Sequence, residues 1–249
     1  MTDTVKTKAG WILAMDTAAE SVSAAVTDAA GDAVFEKTAR ETNKHTECLL
    51  PLVKDVLKTV NVPQEALSAV AFSAGPGAFT GVRTGCAAAQ GLSWVIDKPV
   101  IAVPTLAAAA LLLFGASPEA RRVMPVLDAR MKECYVAVFE RPENDDAMPC
   151  AVTEAAAVKP ADIASWATDN GVEVVGGSGL TVYPEARDGA QSAGVEIVGD
   201  LNVTAGAVAE AARRQFLAGD VTTAALASPI YVRNRVALTI EERRRGEKL

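Results

Sequence analysis

The segment Trp11-Ile12-Leu13-Ala14-Met15-Asp16-Thr17 is an apolar run that ends in an acidic and a small residue, and its pattern returns in Val123-Met124-Pro125-Val126-Leu127-Asp128-Ala129. Each run predicts a buried strand followed by a short turn and a second strand, over residues 21–27 and 134–139. The two units lie about 110 residues apart, and such a recurrence indicates an internal duplication.

Strand and helix patterns alternate along the rest of the chain. We expect further strands at residues 33–36, 69–73, 100–103 and 172–175, and helices at 45–60, 82–96, after 103, and at 204–217, with Thr204 as the cap of the last helix and a loop at 75–81. This alternation predicts an α/β fold. We expect an N-terminal lobe over residues 1–105, a C-terminal lobe over 106–203, and a helix with a charged, solvated tail over 204–249 that packs back on the lobes.

The composition is that of an ordinary globular protein. Half of the 249 residues are hydrophobic and the formal net charge is −7. Because phosphate contacts require a basic surface, we do not expect this chain to bind nucleic acid on its own. The four cysteines form no CxxC motif. The first ten residues lack an apolar core and the longest apolar stretch, 106–114, is too short to span a bilayer. We therefore expect a cytoplasmic protein with reduced thiols.

Two features could hold a nucleotide. Asp16 and Thr17 at a strand end could orient a metal or a phosphate, and Asp128 could act likewise from the second unit; alternatively, each aspartate caps its own turn. The glycine-rich stretch from Gly75 to Gly85 could present backbone N–H groups to a phosphate. It matches neither the Walker nor the dinucleotide motif, and its glycines could instead allow close packing of the following helix.

His45 is the single histidine of the chain. Metal sites of ordinary strength need several ligands of the His, Cys or Asp/Glu type, and no second histidine follows four residues later. We therefore expect neither a metal site nor a catalytic dyad, and we assign His45 a packing or hydrogen-bonding role at a helix start.

The first predicted helix has a wide apolar arc, formed by Leu49, Val53, Val56, Leu57 and Val60 with Leu50 and Leu52 on its flanks. A helix that packs on one sheet needs only a stripe. The extra width indicates either contact with another chain or deep burial of this helix in its own domain.

Several of these segments, in order, resemble the bacterial TsaB family: 12–17, His45-Thr46 with Leu49-Leu50-Pro51, 75–83, Asp128-Ala129-Arg130, and Pro229-Ile230-Tyr231-Val232-Arg233. The resemblance implies the actin-like, hexokinase-like ATPase fold with two related lobes. It also implies a non-catalytic relative of TsaD, the subunit that transfers threonylcarbamoyl to adenosine 37 of tRNA. TsaD holds its metal with two histidines on a helix, whereas the matching region here has only His45.

The resemblance further implies that this chain is not an enzyme on its own but a scaffold for a TsaD-like subunit, with a TsaE-like ATPase as a third member and tRNA bound only through the complex. A homodimer through the same surface is expected for the chain alone. The implied interface residues are His45, Leu49, Leu50, Leu52, Val53, Val56, Leu57, Gly81, Val82, Arg83, Gly85, Cys86 and Ala89. The resemblance implies that Asp16 and Thr17 are what is left of a degenerate nucleotide-binding loop. No tightly bound cofactor is expected, and a nucleotide, where one binds, is expected at the subunit interface.

Two enzymatic alternatives stay open: an ATP-dependent small-molecule kinase and a metallopeptidase on the same fold. The kinase hypothesis predicts magnesium–ATP binding that is lost in Asp16→Ala. The scaffold hypothesis predicts that Val53→Glu abolishes the heterodimer and leaves the fold intact.

Overall fold

The computed structural model describes residues 10–19, 21–31, 34–39, 45–199, 201–233 and 245, without the side chains of residues 45 and 46. The expected solvated tail at 239–249 lies outside these residues except for Arg245. The strands are β1 Trp11–Asp16, β2 Val22–Asp28, β3 Val34–Ala39, β4 Leu67–Gly75, β5 Val100–Pro104, β6 Arg122–Asp128, β7 Cys134–Val136, β8 Phe139–Glu140, β9 Cys150–Ala151, β10 Ala156–Val158, β11 Val174–Gly176 and β12 Glu196–Val198. The helices are α1 His45–Thr59, α2 Phe79–Ile96, α3 Thr105–Ala116, α4 Ile163–Asp169, α5 Ser178–Val182, α6 Pro184–Ser192 and α7 Ala205–Leu217.

The first sheet has the strand order β3-β2-β1-β4-β5. Strands β1, β2 and β3 form an antiparallel meander, whereas β4 and β5 run parallel to β1. Strand β1 lies at the centre and is buried on both faces, which explains why its sequence is a continuous apolar run and not an alternating one.

The second sheet repeats this order as β10-β7-β6-β11-β12, with the same parallel and antiparallel pairings. Strand β6 takes the place of β1, and β11 takes the place of β4. Helices also follow in equivalent places: α1 and α4, then α2 and the pair α5–α6, then α3 and α7. The predicted duplication is therefore confirmed, and the chain has the two-lobed actin-like fold.

Helices α3 and α7 pack together between the two sheets. Helix α3 is apolar on all sides and almost fully buried, as expected of a helix enclosed by protein. Their core includes Ile12 and Val103 from the first sheet and Val123 and Val174 from the second. One apolar core thus joins the two lobes at their base.

The outer face of each sheet is covered by its own helices. Helices α1 and α2 pack on the first sheet around Leu13, Met15 and Phe72. Helices α4 and α6 pack on the second sheet around Met124, Val126 and Ile163.

The predicted single strand at 134–139 is divided in two, β7 and β8, which pair with the end and the start of β6 respectively. The two ladders share one register, and the residues between them lie opposite Met124 and Pro125. Because proline has no backbone N–H to donate, the ladder is interrupted there.

The N-terminus of α7 is capped differently from the prediction. Thr204 occupies the cap position without a side-chain hydrogen bond to the helix. The Ser23 hydroxyl oxygen instead accepts a bond of 2.7 Å from the Ala205 N–H. Strand β2 therefore supplies the cap, which ties α7 to the first sheet. At the other end of α7, Gly219 has a positive φ of 74°, the conformation that favours glycine just beyond a helix end.

Among the described residues, no helix has the length and apolarity needed to cross a membrane.

Candidate functional site

The two lobes enclose a cleft of about 1090 Å³. It lies where β1, β4 and β6 end, because the carboxyl ends of equivalent parallel strands in both lobes face each other. From the first lobe it is lined by Ala18, Ser21 and the loop after β4, and from the second by Asp128, Arg130 and Ser178.

Asp16, the predicted nucleotide-loop acid, is completely buried. One carboxylate oxygen, Oδ1, accepts a bond of 3.2 Å from the Ala18 N–H, whereas Oδ2 has no hydrogen-bond partner among the residues that the structure describes. Burial raises the pKa of Asp16 from 3.8 to about 6, although the Ser73 hydroxyl and nearby backbone N–H groups oppose this rise. The side chain therefore lies beneath the cleft and does not present a carboxylate to it.

Thr17 is also enclosed. Its hydroxyl donates a 2.7 Å hydrogen bond to the Gly81 carbonyl in the first turn of α2. A Cβ atom at position 81 would lie 1.8 Å from the Thr17 carbonyl oxygen, and one at position 85 would lie 2.7 Å from the Thr17 hydroxyl. These glycines therefore let α2 approach β1 closely, which was one of the two interpretations of the glycine-rich stretch.

The loop itself is largely committed to internal contacts. The Ala78 N–H donates to the Ala18 carbonyl at 2.9 Å, and Pro76 has no N–H to offer. The predicted seven-residue loop is also shorter than expected, because α2 begins at Phe79.

Asp128, the counterpart of Asp16, faces the cleft but caps its own turn. Its Oδ1 accepts bonds from the Arg130 N–H at 2.8 Å and from the Tyr183 hydroxyl at 2.9 Å. Its Oδ2 forms an ion pair with Arg130 at 3.3 Å. Of the two roles considered for this aspartate, the observed contacts match the turn cap.

No group of three or more His, Cys, Asp or Glu side chains is placed to hold a metal in the described part of the chain. The side chain of His45 lies outside that part; the backbone of this residue begins α1.

The assignment of the whole apolar arc to a partner interface needs correction. Leu49, Val53, Val56 and Leu57 are buried in the core of this chain, and only 3% of Val53 is exposed. On α2, Gly81, Val82, Gly85, Cys86 and Ala89 are buried as well. The wide arc thus reflects deep burial in its own lobe, because the helix packs on the sheet and on α2 together. Of the predicted set, Leu50 and Arg83 are exposed and Leu52 is half-buried.

A groove between the outer sides of α1 and α2 has a volume of about 550 Å³. Its lining is mostly apolar or small: Leu49, Leu50, Phe79, Thr80, Arg83, Thr84, Ala87 and Ala88. Leu50 is 52% exposed and Phe79 is 45% exposed. Farther along α2, Trp94 is 76% exposed and Val95 is 78% exposed. Large apolar side chains exposed together on neighbouring helices are typical of a contact surface.

Phe79 and Trp94 were not predicted as site residues. Their signal was present in the sequence as large apolar residues of α2 that lie outside the small-residue set Gly81, Gly85 and Ala89. They could be recognised as exposed only after the small residues were known to pack on β1 and β4.

Comparison with known proteins finds a matching family model, sequence relatives and solved structures of similar fold. The family model described as TsaD, tRNA N6-adenosine threonylcarbamoyltransferase, matches residues 22–188. The tRNA threonylcarbamoyladenosine biosynthesis protein TsaB of Escherichia coli K12 is 36% identical over 229 residues, which cover 91% of this chain and 96% of that protein. TsaB of Haemophilus influenzae is 36% identical over 130 residues, or 52% of this chain and 54% of that protein.

Two solved structures from Pseudomonas aeruginosa have a similar fold. The one named YeaZ has a TM-score of 0.72 and 27% identity, and covers 89% of this chain and 99% of that chain. The other, named as a protein with similarity to peptidase YEAZ, has a TM-score of 0.74 and 26% identity, and covers 90% of this chain and 100% of that chain.

Proposed function

This chain belongs to the TsaB family of tRNA threonylcarbamoyladenosine biosynthesis proteins, and we propose that it acts in that synthesis as a non-catalytic subunit that docks on a TsaD-type transferase. The observation that carries the proposal is the 36% identity to Escherichia coli TsaB, which extends over nearly the full length of both proteins. The expected family resemblance is confirmed by this match.

The groove between α1 and α2 supports a helical partner surface. The α2 side of the groove carries the short side chains of Thr80, Thr84, Ala87 and Ala88. Short side chains let a helix of another chain pack close to α2. Leu50 and Phe79 supply exposed apolar contacts at its sides. A buried apolar centre with a single charged group, Arg83, is the usual composition of a protein interface.

The contacts of the two strand-end acids support the scaffold role over nucleotide chemistry in the cleft. The Asp16 carboxylate is enclosed, and Asp128 is occupied by Arg130 and Tyr183. The Asp16 carboxylate is shut off from the cleft by burial, although its Oδ2 has no hydrogen-bond partner among the described residues. The Asp128 carboxylate would have to give up its present bonds to coordinate a magnesium–nucleotide.

Further members of the assembly follow from the same proposal. A TsaE-like ATPase binds the heterodimer, and tRNA binds through the complex because this chain carries a formal net charge of −7. In the absence of its partner, the chain pairs with a second copy through the exposed α1–α2 groove.

The test is size-exclusion chromatography with light scattering on this chain, alone and mixed with the TsaD-type subunit of the same organism. Leu50→Glu places a charge in the groove, and Leu217→Glu is its matched control, because Leu217 is 55% exposed on a helix outside the groove. We expect a one-to-one complex that Leu50→Glu weakens by at least about tenfold and Leu217→Glu leaves unchanged.

Absence of a complex at micromolar concentrations would refute the docking proposal. Titration with magnesium–ATP then becomes the deciding measurement, since tight binding by the isolated chain that is lost in Asp16→Ala would favour the kinase alternative.

A further inference from the structure

The segment 222–233 follows α7 and is largely irregular, yet it is fixed to the first lobe at several points. Thr222 exchanges two backbone hydrogen bonds of 2.8 Å with Val100 on the edge strand β5. Farther on, the Ile230 N–H donates to the Ala74 carbonyl at 2.8 Å. The segment is therefore bonded to β5 at its start and to the end of β4 near its finish, and its residues 230–233 line the cleft.

Arg83 joins this segment to the α1–α2 groove. Its Nε donates a 2.8 Å hydrogen bond to the Tyr231 hydroxyl. Its guanidinium carbon lies 3.6 Å from the ring centre of Phe79 and 5.5 Å from that of Tyr231. The guanidinium gains cation–π attraction from both rings, and the two ring centres are themselves only 5.9 Å apart, so these three side chains form one unit.

Arg233 carries the segment across to the second lobe. Its guanidinium forms an ion pair with Glu133 and lies 3.3 Å from the Met131 sulfur and 5.9 Å from the ring centre of Tyr135. Only 16% of the Arg233 side chain is exposed, so this contact is better shielded from solvent than a surface ion pair.

The turn that receives Arg233 is itself unusual. Arg130, Met131 and Lys132 have positive φ angles of 58°, 55° and 59°. Three consecutive non-glycine residues in the left-handed region store conformational energy, which persists only where surrounding contacts hold the turn. The Arg233–Glu133 pair is placed directly at the end of this turn.

We propose that residues 222–233 form a clasp that holds the two lobes in one relative position across the cleft, with the Arg233–Glu133 ion pair as its releasable end. At the base, the lobes are joined by the apolar core of α3 and α7. Two lobes that are joined only at their base can still rotate relative to each other about that base, which opens and closes the cleft. The clasp restrains that motion from the cleft side.

A consequence concerns the partner, and it rests on the proposed function. Phe79 and Arg83 line the groove, and the same two side chains contact Tyr231 in the clasp. A TsaD-type subunit bound in the groove therefore contacts Phe79 and Arg83, holds them against Tyr231, and makes opening of the clasp less frequent.

Amide hydrogen exchange of Ile230, whose N–H bonds to Ala74, reports release of the clasp. In Arg233→Glu and in Glu133→Arg, we expect this amide to exchange faster by about tenfold, equivalent to about 1.4 kcal/mol. The exchanged pair Glu133→Arg/Arg233→Glu restores the charge attraction and should return the rate toward that of the wild type. Arg187→Glu, at an exposed ion pair within the second lobe, is the control and should have no effect.

The relative position of the two lobes is measured as the distance between two spin labels, one at Lys58→Cys in α1 and one at Gln191→Cys in α6. Cys48 and Cys150 are replaced by serine so that they are not labelled. We expect one narrow distance distribution that broadens in Arg233→Glu and narrows again in the exchanged pair. An unchanged Ile230 rate and an unchanged distribution in Arg233→Glu would overturn the clasp.

The partner effect is tested by the same exchange measurement with the TsaD-type subunit added. We expect slower exchange of Ile230 in the complex. If the complex forms and the rate is unchanged, the coupling is wrong. If no complex forms, the docking proposal fails, whereas the charge-exchange result still decides the clasp.

Discussion

The carboxyl group of Asp16 should make the stability of this protein depend on pH in a defined direction. Its pKa is about 6 in the folded chain, against an ordinary value of 3.8, because it is completely buried. Between these two pH values the unfolded chain loses the proton while the folded chain keeps it, so stability falls as pH rises from 3.8 to 6. At 1.36 kcal/mol per pKa unit, the full penalty above pH 6 is about 3 kcal/mol.

Asp16→Asn removes the ionisation without changing the shape of the side chain. The unpaired amide adds a cost that is the same at every pH, so the informative quantity is the pH dependence of the stability difference between variant and wild type. The linkage relation predicts that this difference shifts in favour of Asp16→Asn by about 2 kcal/mol between pH 4.5 and pH 8.

The assay is urea unfolding at pH 4.5, 6 and 8, with free energies of unfolding from linear extrapolation. Asp169→Asn, at an exposed helix end, corrects for the loss of one surface charge. A difference between Asp16→Asn and wild type that stays constant from pH 4.5 to pH 8 would refute the reasoning, because it would mean that Asp16 ionises alike in the folded and unfolded chains.

Two further predictions concern the packing. Val53→Glu places a charge in the core beneath α1, so the free energy of unfolding, measured with heat and urea, should fall by about 3–5 kcal/mol. Lys54→Glu, on the exposed side of α1, should lower it by less than about 1 kcal/mol. Similar stability of the two variants would contradict the burial of Val53. Ser23→Ala removes the acceptor for the Ala205 N–H and should lower the free energy of unfolding in urea by about 1 kcal/mol. Thr204→Ala should lower it by less, because Thr204 makes no cap bond. A larger loss in Thr204→Ala than in Ser23→Ala would show that Thr204 is the cap after all.

The duplicated fold could be predicted because its signal is strong and local. Strands β1 and β6 are buried on both faces, so each appears as an apolar run, and each ends in an aspartate at the same structural position. The interruption between β7 and β8 depends on which strand lies opposite. Pro125 was visible in the sequence, but the register that places it against residue 137 was not.

The contact surface could not be predicted from the apolar arc of α1. Hydrophobic periodicity identifies the face that leaves water, and it does not distinguish a partner from the chain's own sheet. Val53 therefore appeared as an interface residue although it belongs to the core. The exposed face depends on how α1 and α2 share the outer side of the sheet, which is a tertiary property.

The clasp could not be predicted from the sequence, for a different reason. Residues 222–233 have no period, and their contacts reach residues far apart in sequence, such as Arg83 and Glu133. Only the motif from Pro229 to Arg233 pointed to this segment, and it did so through family resemblance without indicating a structural role.

The most direct test of the central claim is the formation of threonylcarbamoyladenosine in tRNA by a reconstituted system of TsaD-type and TsaE-type subunits with the threonylcarbamoyl-adenylate donor, measured by mass spectrometry of the digested tRNA. We predict that the modified nucleoside forms when this chain is added, that it forms equally with Leu217→Glu, and that Leu50→Glu reduces it in proportion to the lost complex. Equal formation of the nucleoside with and without this chain would contradict the account.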